Sequence, residues 1–438
     1  MSALLSVTIL LNGTLVDGTG APPVRDACIE IRDGRIATIG RASTCVVEAG
    51  AWVLDAMGKW VIPGLIDTHT HLFDSGSLYT SPDDYDLTAR VPHETERTRI
   101  RARIGETTDR FLCSGITTVA SLGGPRWEAD VRDETKAPRI LTAGPFLAGF
   151  PVGEMTLWTR EDPVLVQVAS PQEARGKVDE LVGRDVDLVK AGFLDEPVLR
   201  ALVDEAHARQ MKVAIHAEEL EAAKMALHAN VDVLAHTVVD QLVDEVFLAQ
   251  AKKQGVVSIT GLAHYERYRQ VLDSAVKLSP IEERCGDPEV IATWSDLGEL
   301  QNKPATPDSI RWGASPAARD LLLGNVRRMH AAGIPIAVGS NGGNIGTLQG
   351  PSYHRELTML AEAGLTPNEV LTCATANGAL ALGVLGDRGT VEVGKLADLV
   401  VLGADPTKDV SSLASVETVL VGGEVVYLAP SKLYKDAP

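Results

Sequence analysis

A (β/α)₈ barrel of the TIM type, carrying a small β-sandwich built from both chain ends, is the fold this sequence predicts. Three observations carry it. Residues 5–62 and 389–428 alternate short β-forming runs with turns. The stretch between them alternates strand and helix patterns. Histidines and a lysine recur where those central strands stop. The expected organisation is a composite sandwich of 1–62 with 388–438 around a barrel of 63–387. A chain of 438 residues exceeds one ordinary domain and suits one large barrel plus an accessory unit.

In the first β-rich end the runs are Ser6–Leu11, Cys28–Arg32, Arg35–Ile39 and Trp52–Asp55, punctuated by glycines at 13, 18, 20, 34 and 40. The style resumes in Leu399–Leu402 and Val425–Tyr427. The middle offers strands at 61–69, 115–121, 139–144, 186–191, 212–217, 231–237, 256–262 and 335–340. Helical patterns separate them, among them Glu196–Gln210 and Ala317–Ala332; the latter ends in Ala-Gly-Ile-Pro, a helix stop. Eight strand–helix units imply a closed barrel. The alternative, a doubly wound open sheet, would bring a Gly-rich phosphate turn after an early strand, and none is found. Connections 145–185 and 263–316 are long and follow strands, so they overhang the C-terminal face where barrel sites lie.

Apolar residues make up 45%, enough for a sizeable core, and the net charge is −18 without basic runs. That balance argues against nucleic acid or an anionic membrane as partner. No apolar stretch is long enough to span a bilayer, and the first residues read as a strand, not a signal peptide. The five cysteines, Cys28, Cys45, Cys113, Cys285 and Cys373, are dispersed and unpaired in spacing. They are expected as reduced thiols of a cytoplasmic protein.

His69 and His71 end an apolar run, Val61-Ile62-Pro63-Gly64-Leu65-Ile66-Asp67-Thr68-His69. Two histidines one residue apart point the same way on a strand, and paired imidazoles suit a metal such as zinc. Alone the pair is weak. Lys190 ends strand 4, His216 strand 5, His236 strand 6, and Ser340-Asn341 strand 8. Each alone is most simply structural; together, in barrel order, they point to a metal centre.

Here the chain resembles the metal-dependent amidohydrolase superfamily. The likeness spans essentially the whole chain and includes Pro63-Gly64-Leu65-Ile66-Asp67-Thr68-His69-Thr70-His71 and Gly394-Lys395-Leu396-Ala397-Asp398-Leu399-Val400-Val401-Leu402. The order of ligands is similar to that of imidazolonepropionases and Xaa-Pro dipeptidases. The resemblance implies that His69, His71 and Lys190 hold a buried divalent metal, His216 and His236 a more exposed one. It also implies that Lys190 is a CO₂-derived carbamate bridging both. One or two zinc ions per subunit are expected. The family ends strand 8 with an aspartate that serves as ligand and general base; Asn341 stands there instead. An amide oxygen can coordinate but cannot accept a proton at neutral pH. Either Asn341 is native, as in the branch resembling phenylurea and thiocarbamate hydrolases, or it disables a catalyst that then binds ligand without turnover.

His264, after strand 7, is a candidate for binding the substrate carbonyl or shuttling a proton. Aromatic residues are only 4% of the chain, yet Phe146, Phe150, Met155, Leu157 and Trp158 gather with other apolar groups on one insertion. Tyr265, Tyr268, Trp294 and Trp312 gather on the other. They read as an apolar pocket, with Phe150, Trp158, His264 and Tyr265 as substrate contacts, or as lids packed on themselves. Leu72 and Phe73 follow His71 where an arginine would hold a carboxylate, which favours an uncharged substrate. His93 and His354, in strand-to-helix loops, are candidates to line the pocket. The expected activity is hydrolysis of a small apolar or aryl amide, carbamate or urea by metal-activated hydroxide, in a cytoplasmic homo-oligomer. Xaa-Pro dipeptidase activity is the alternative.

Overall fold

Gly64 divides the fold. The run expected as one strand, 61–69, breaks there, because a Cβ at Gly64 would lie 1.9 Å from Thr117 Oγ1. The computed structural model describes residues 7–82, 85–135, 137–150, 162–300 and 312–430. Before Gly64 come β1 (Val7–Leu15), β2 (Val24–Arg32), β3 (Arg35–Arg41), β4 (Trp52–Asp55) and β5 (Trp60–Pro63). After it run β6 (Leu65–Thr70), β7 (Ile116–Ser121), β8 (Arg139–Thr142), β9 (Phe146–Ala148) and β10 (Leu165–Gln167). Then follow β11 (Leu188–Gly192), β12 (Lys212–His216), β13 (Val233–Ala235), β14 (Val257–Ile259) and β15 (Ile336–Ala337). The last strands are β16 (Leu399–Leu402), β17 (Val416–Val421) and β18 (Glu424–Leu428).

Both chain ends share one sheet, ordered β18-β17-β16-β5-β1-β2-β3 with β4 beside β1. The antiparallel pairing of β16 with β5, Val401 opposite Val61, ties one end to the other. At the boundary Gly64 N donates to Asp398 O at 2.8 Å. The sheet curls until its hairpin turns meet: Ala397 N donates to Gly34 O and Gly423 N to Ala397 O, at 2.9 and 3.0 Å. Leu10, Ile29, Ile31, Val61, Val401 and Leu420 fill the interior of the curl.

The central strands are parallel, in two sheets: β6-β7-β8 and β10-β9-β11-β12-β13-β14-β15. Hydrogen bonds join these sheets on both flanks. Asp187 N donates to Thr142 O at 2.8 Å. On the other flank, beyond β15, Thr68 N donates to Val338 O at 3.0 Å, and Asn341 N to His69 O and His71 N to Gly342 O at 2.8 Å. Every residue of β6, β7 and β11 is buried, as parallel strands covered on both faces require. Asp67 reinforces the second flank. Its Oδ1 accepts from Ser340 N at 2.9 Å and His69 N at 3.2 Å, and its Oδ2 accepts from Ser340 Oγ. Burial pushes this carboxyl up to about 7 in spite of those bonds.

Helix signals held where caps are explicit. Pro316–Ala332 begins with Ser315 accepting from Ala318 N and ends at Gly333, φ +79°. The first long connection contributes β9 and β10. The second carries helices Ala263–Leu272, Pro280–Cys285 and Pro288–Thr293. Its Tyr268 and Trp294 are buried among Leu78, Leu297 and Leu348, and Trp294 Nε1 donates to Gly76 O at 2.9 Å. These two aromatic residues are packing, not pocket.

The expectation of reduced thiols is overturned. Cys28–Cys45 and Cys113–Cys285 are disulfides, with Cα separations of 6.0 and 5.8 Å, and Cys373 alone is free. Spacing hid the second pair, whose partners lie 172 residues apart. They meet because two helices, Ile104–Cys113 and Pro280–Cys285, end side by side. Among the described residues no helix is long and apolar enough to cross a membrane.

Ser340→Ala should unfold at lower denaturant, because Asp67 keeps its burial but loses a hydroxyl donor. The expected cost is about 1–3 kcal/mol, read from urea unfolding of metal-free protein with unchanged slope. A variant as stable as the parent would show that the backbone bonds alone hold this flank.

Candidate metal centre

Five strand ends converge on one cavity of about 750 Å³. Its floor presents His69 from β6 and His71 just past it, Lys190 from β11, His216 from β12, His236 just past β13 and Asn341 past β15. Ring centroids lie 5.1 Å apart for His69–His71, and 4.7 Å for both His69–His236 and His216–His236. The strand-end residues named from the sequence are thus brought together.

The backbone makes room for them at a cost. His236 has φ +85°, and a Cβ at Gly261 would lie 2.9 Å from its Nδ1. A non-glycine residue held there stores strain of order 1–3 kcal/mol, typical of functional sites. Asn341 has φ +54°, a conformation asparagine tolerates. Its Oδ1 accepts from His71 Nε2 at 2.9 Å.

Buried nitrogens here lack partners. His69 Nδ1, His236 Nδ1 and Lys190 Nζ are enclosed and make no hydrogen bond. Such groups are rare in folded proteins and call for a ligand. Burial, then the neighbouring Lys190 charge, pushes His216 down to about 3 and His71 to about 4. Burial first also holds His69 and His236 well below the usual imidazole range. Burial lowers the Lys190 amine to about 7. Neutral imidazoles with free lone pairs beside a neutral-prone amine are a donor set that fits a divalent transition metal.

His264 sits in the first turn of Ala263–Leu272, its ring 5.8 Å from that of His236 and 3.8 Å from Tyr265. Its Nδ1 lies 3.1 Å from Gly261 O. A carbonyl only accepts, so Nδ1 carries the proton and Nε2 presents a lone pair. Phe150 and Tyr265 line the cavity as expected, with Phe146, Phe193 and Trp312. Trp158, Met155 and Leu157 lie outside the described residues. His93 and His354 do not reach the cavity: His93 opens the helix His93–Ala102, and His354 bonds Ser114 O at 2.9 Å.

Two residues escaped the sequence reading. Glu218, two past His216, groups with His216 and His236 so that one donor atom of each lies within 4.8 Å of the others. Its place two residues past His216, at the C-terminal end of β12, is the signal that could have found it. Glu356 is buried, and its carboxylate accepts from Gly261 N, Leu262 N and Ala263 N, holding the turn that carries His264. No local pattern announces it, since it lies 92 residues beyond His264.

Residues 60–426 match the amidohydrolase family, to which this chain belongs. It is a hydrolase acting on C–N bonds, of a family generally dependent on metal. An imidazolonepropionase from Symbiobacterium thermophilum is 29% identical over 422 residues, covering 89% of each chain. A solved Xaa-Pro dipeptidase with methionine bound in its active site has a TM-score of 0.76 at 20% identity, covering 97% of this chain and 100% of that one. Phenylurea hydrolase B has a TM-score of 0.73 at 22% identity, covering 96% and 97%. At those identities the structural likeness is one of fold alone.

Zn²⁺ should raise the melting temperature of metal-stripped protein in proportion to the logarithm of its concentration. In His236→Gly that rise should be reduced or lost. The same variant without metal should melt no lower than the parent, because an unpartnered nitrogen and a strained backbone are both removed. Differential scanning calorimetry at several Zn²⁺ concentrations checks both; a lower metal-free melting point would make His236 a packing residue.

Proposed function

We propose that this chain is a metal-dependent hydrolase of small apolar or aryl amides, carbamates or ureas, with His69, His71, Lys190, His216, His236 and Asn341 holding the metal. The observation that carries it is the set of buried, unpartnered nitrogens at the floor of an apolar-walled cavity. The two parallel sheets, bonded on both flanks, support reading 63–387 as a closed (β/α)₈ barrel. The curled chain-end sheet supports reading 1–62 with 388–438 as the sandwich.

One or two divalent ions, zinc by donor type, would supply Lewis acidity that polarises a carbonyl and activates water. Lys190, neutral-prone and without a partner, attacks CO₂ through Nζ, loses a proton and becomes an anionic oxygen donor. Asn341 Oδ1 accepts from His71 and orients that ring; it takes no proton. His264 Nε2 is placed to take the proton from the attacking water and return it to the departing amine. Phe146, Phe150, Phe193 and Trp312 exclude water and seat the apolar group.

Among the described residues lining the cavity the only lysine or arginine is Lys190, which is already engaged in this reading. Among those described residues a dipeptide carboxylate finds no guanidinium, so the Xaa-Pro reading stands second. Turnover on N-aryl amides, carbamates and phenylureas should therefore exceed turnover on Xaa-Pro dipeptides. Efficient proline release with no aryl turnover would reverse the order.

Asn341→Asp separates the remaining readings. If asparagine is native, the change should tighten the second metal and leave turnover level or lower across pH 6–9. If asparagine disables the site, turnover should rise by about 10²–10⁴-fold.

Cytoplasmic location and homo-oligomeric assembly belong to the same proposal. The disulfides weigh against the first, since such bonds persist in oxidising compartments. Thiol counting on denatured, unreduced protein checks this: one thiol, the buried Cys373, is expected, and a count of five would restore the reduced-thiol reading.

A further inference from the structure

Asn341 leaves the end of β15 without the negative charge a divalent ion favours. We propose that Glu218 supplies it from the other side of the cavity, as a metal ligand grouped with His216 and His236. This rests on reading the histidine cluster as a metal centre.

His216 is the last residue of β12, and Glu218 follows it by two residues in the connection to the next helix. Glu218 Oε1 lies 3.6 Å from His236 Nδ1 and Oε2 lies 3.9 Å from His216 Nε2. Both gaps are too long for hydrogen bonds. Two donors on one ion, with bonds of about 2.0–2.2 Å, stand up to roughly 4.4 Å apart. His236 Nδ1 is buried and makes no hydrogen bond, so a ring nitrogen able to coordinate faces a carboxylate across an ion-sized gap. His236 is also held at φ +85°, and only the missing side chain of Gly261 clears its ring. The strain therefore serves the direction in which that nitrogen points.

The carboxylate is aimed as well. Tyr265 OH donates to Glu218 Oε2 at 2.8 Å, and Tyr265 belongs to the helix that Glu356 anchors. A phenol bonded to a ligand oxygen fixes its orientation, as outer partners of metal ligands do. The carboxyl absent at 341 is thus available at 218, on a residue whose position depends on the end of β12 and on the turn after β14.

Zn²⁺ alone, added to metal-stripped full chain, is the probe. Metal content per chain is read by mass spectrometry and affinity by competition with a chromogenic chelator. Glu218→Gln should weaken one zinc site by at least about tenfold. Tyr265→Phe, which keeps the carboxylate but not its anchor, should weaken it less. Asn341→Asp in the Glu218→Gln background should recover most of the lost affinity, because it returns one charge to the cluster. Circular dichroism and melting of the metal-stripped variants should match the parent. Parental zinc binding by Glu218→Gln would overturn the proposal, as would failure of the double variant to recover. His69→Ala and His216→Ala are run alongside. If they lose zinc while Glu218→Gln does not, only the role of Glu218 falls. If they too bind like the parent, the metal-centre reading falls with it.

Discussion

The joint between β6 and the segment following β15 is the constraint on which the site depends. Asp67 and Ser340 lock it, and the backbone bonds of Thr68, His71 and Asn341 extend it. Without that register, His69 and His71 would stand on one sheet edge and Asn341 on another, each solvated. With it, residues roughly 270 apart in sequence share one wall, at His71 and Asn341 by direct contact. A buried carboxyl is an expensive way to hold two strands, since desolvation works against its ionised form. Here the expense is offset by three donors converging on one group, and the reward is rigidity at the position where ligand geometry matters most.

The floor of the cavity runs against the logic of the core around it. Elsewhere β-strands bury Val, Leu and Ile in dense contact; at their ends they bury nitrogens that bond to nothing. Such atoms destabilise the folded chain until a ligand arrives, so the protein's stability is expected to be divided between packing and occupancy. His236 and Gly261 show how locally this is arranged: one residue is strained, the one packed against it is bare, and a ring nitrogen is left enclosed.

Much of this was legible in the sequence because it is written in short periods. Alternation of two placed His69 with His71, and apolar runs followed by polar ends marked β11, β12 and the segments after β13 and β15. What was illegible depends on contacts distant along the chain. Gly64 looks like any residue in an apolar run until Thr117 is found against it. Cys113 and Cys285 give no pairing signal until two helices end together. Tyr268 and Trp294 were indistinguishable from Tyr265 and Trp312, because composition says an aromatic side chain is near the site but not whether it points at the cavity or at Leu297. Glu218 is a different case: it stands two residues past His216, and attention to histidine alone passed over it.

The shared sheet has a kinetic meaning. Since β5 pairs with β16 and Gly64 with Asp398, both ends of the parallel-strand unit are clamped at one point. Neither can peel away alone, as the free termini of an ordinary barrel can. Two insertions stand over the cavity. Of these, the one after β14 is itself stapled to the chain ahead of β7 through Cys113 and Cys285. The insertion after β8 carries no such bond among its described residues, and it borders the histidines through Phe146 and Phe150.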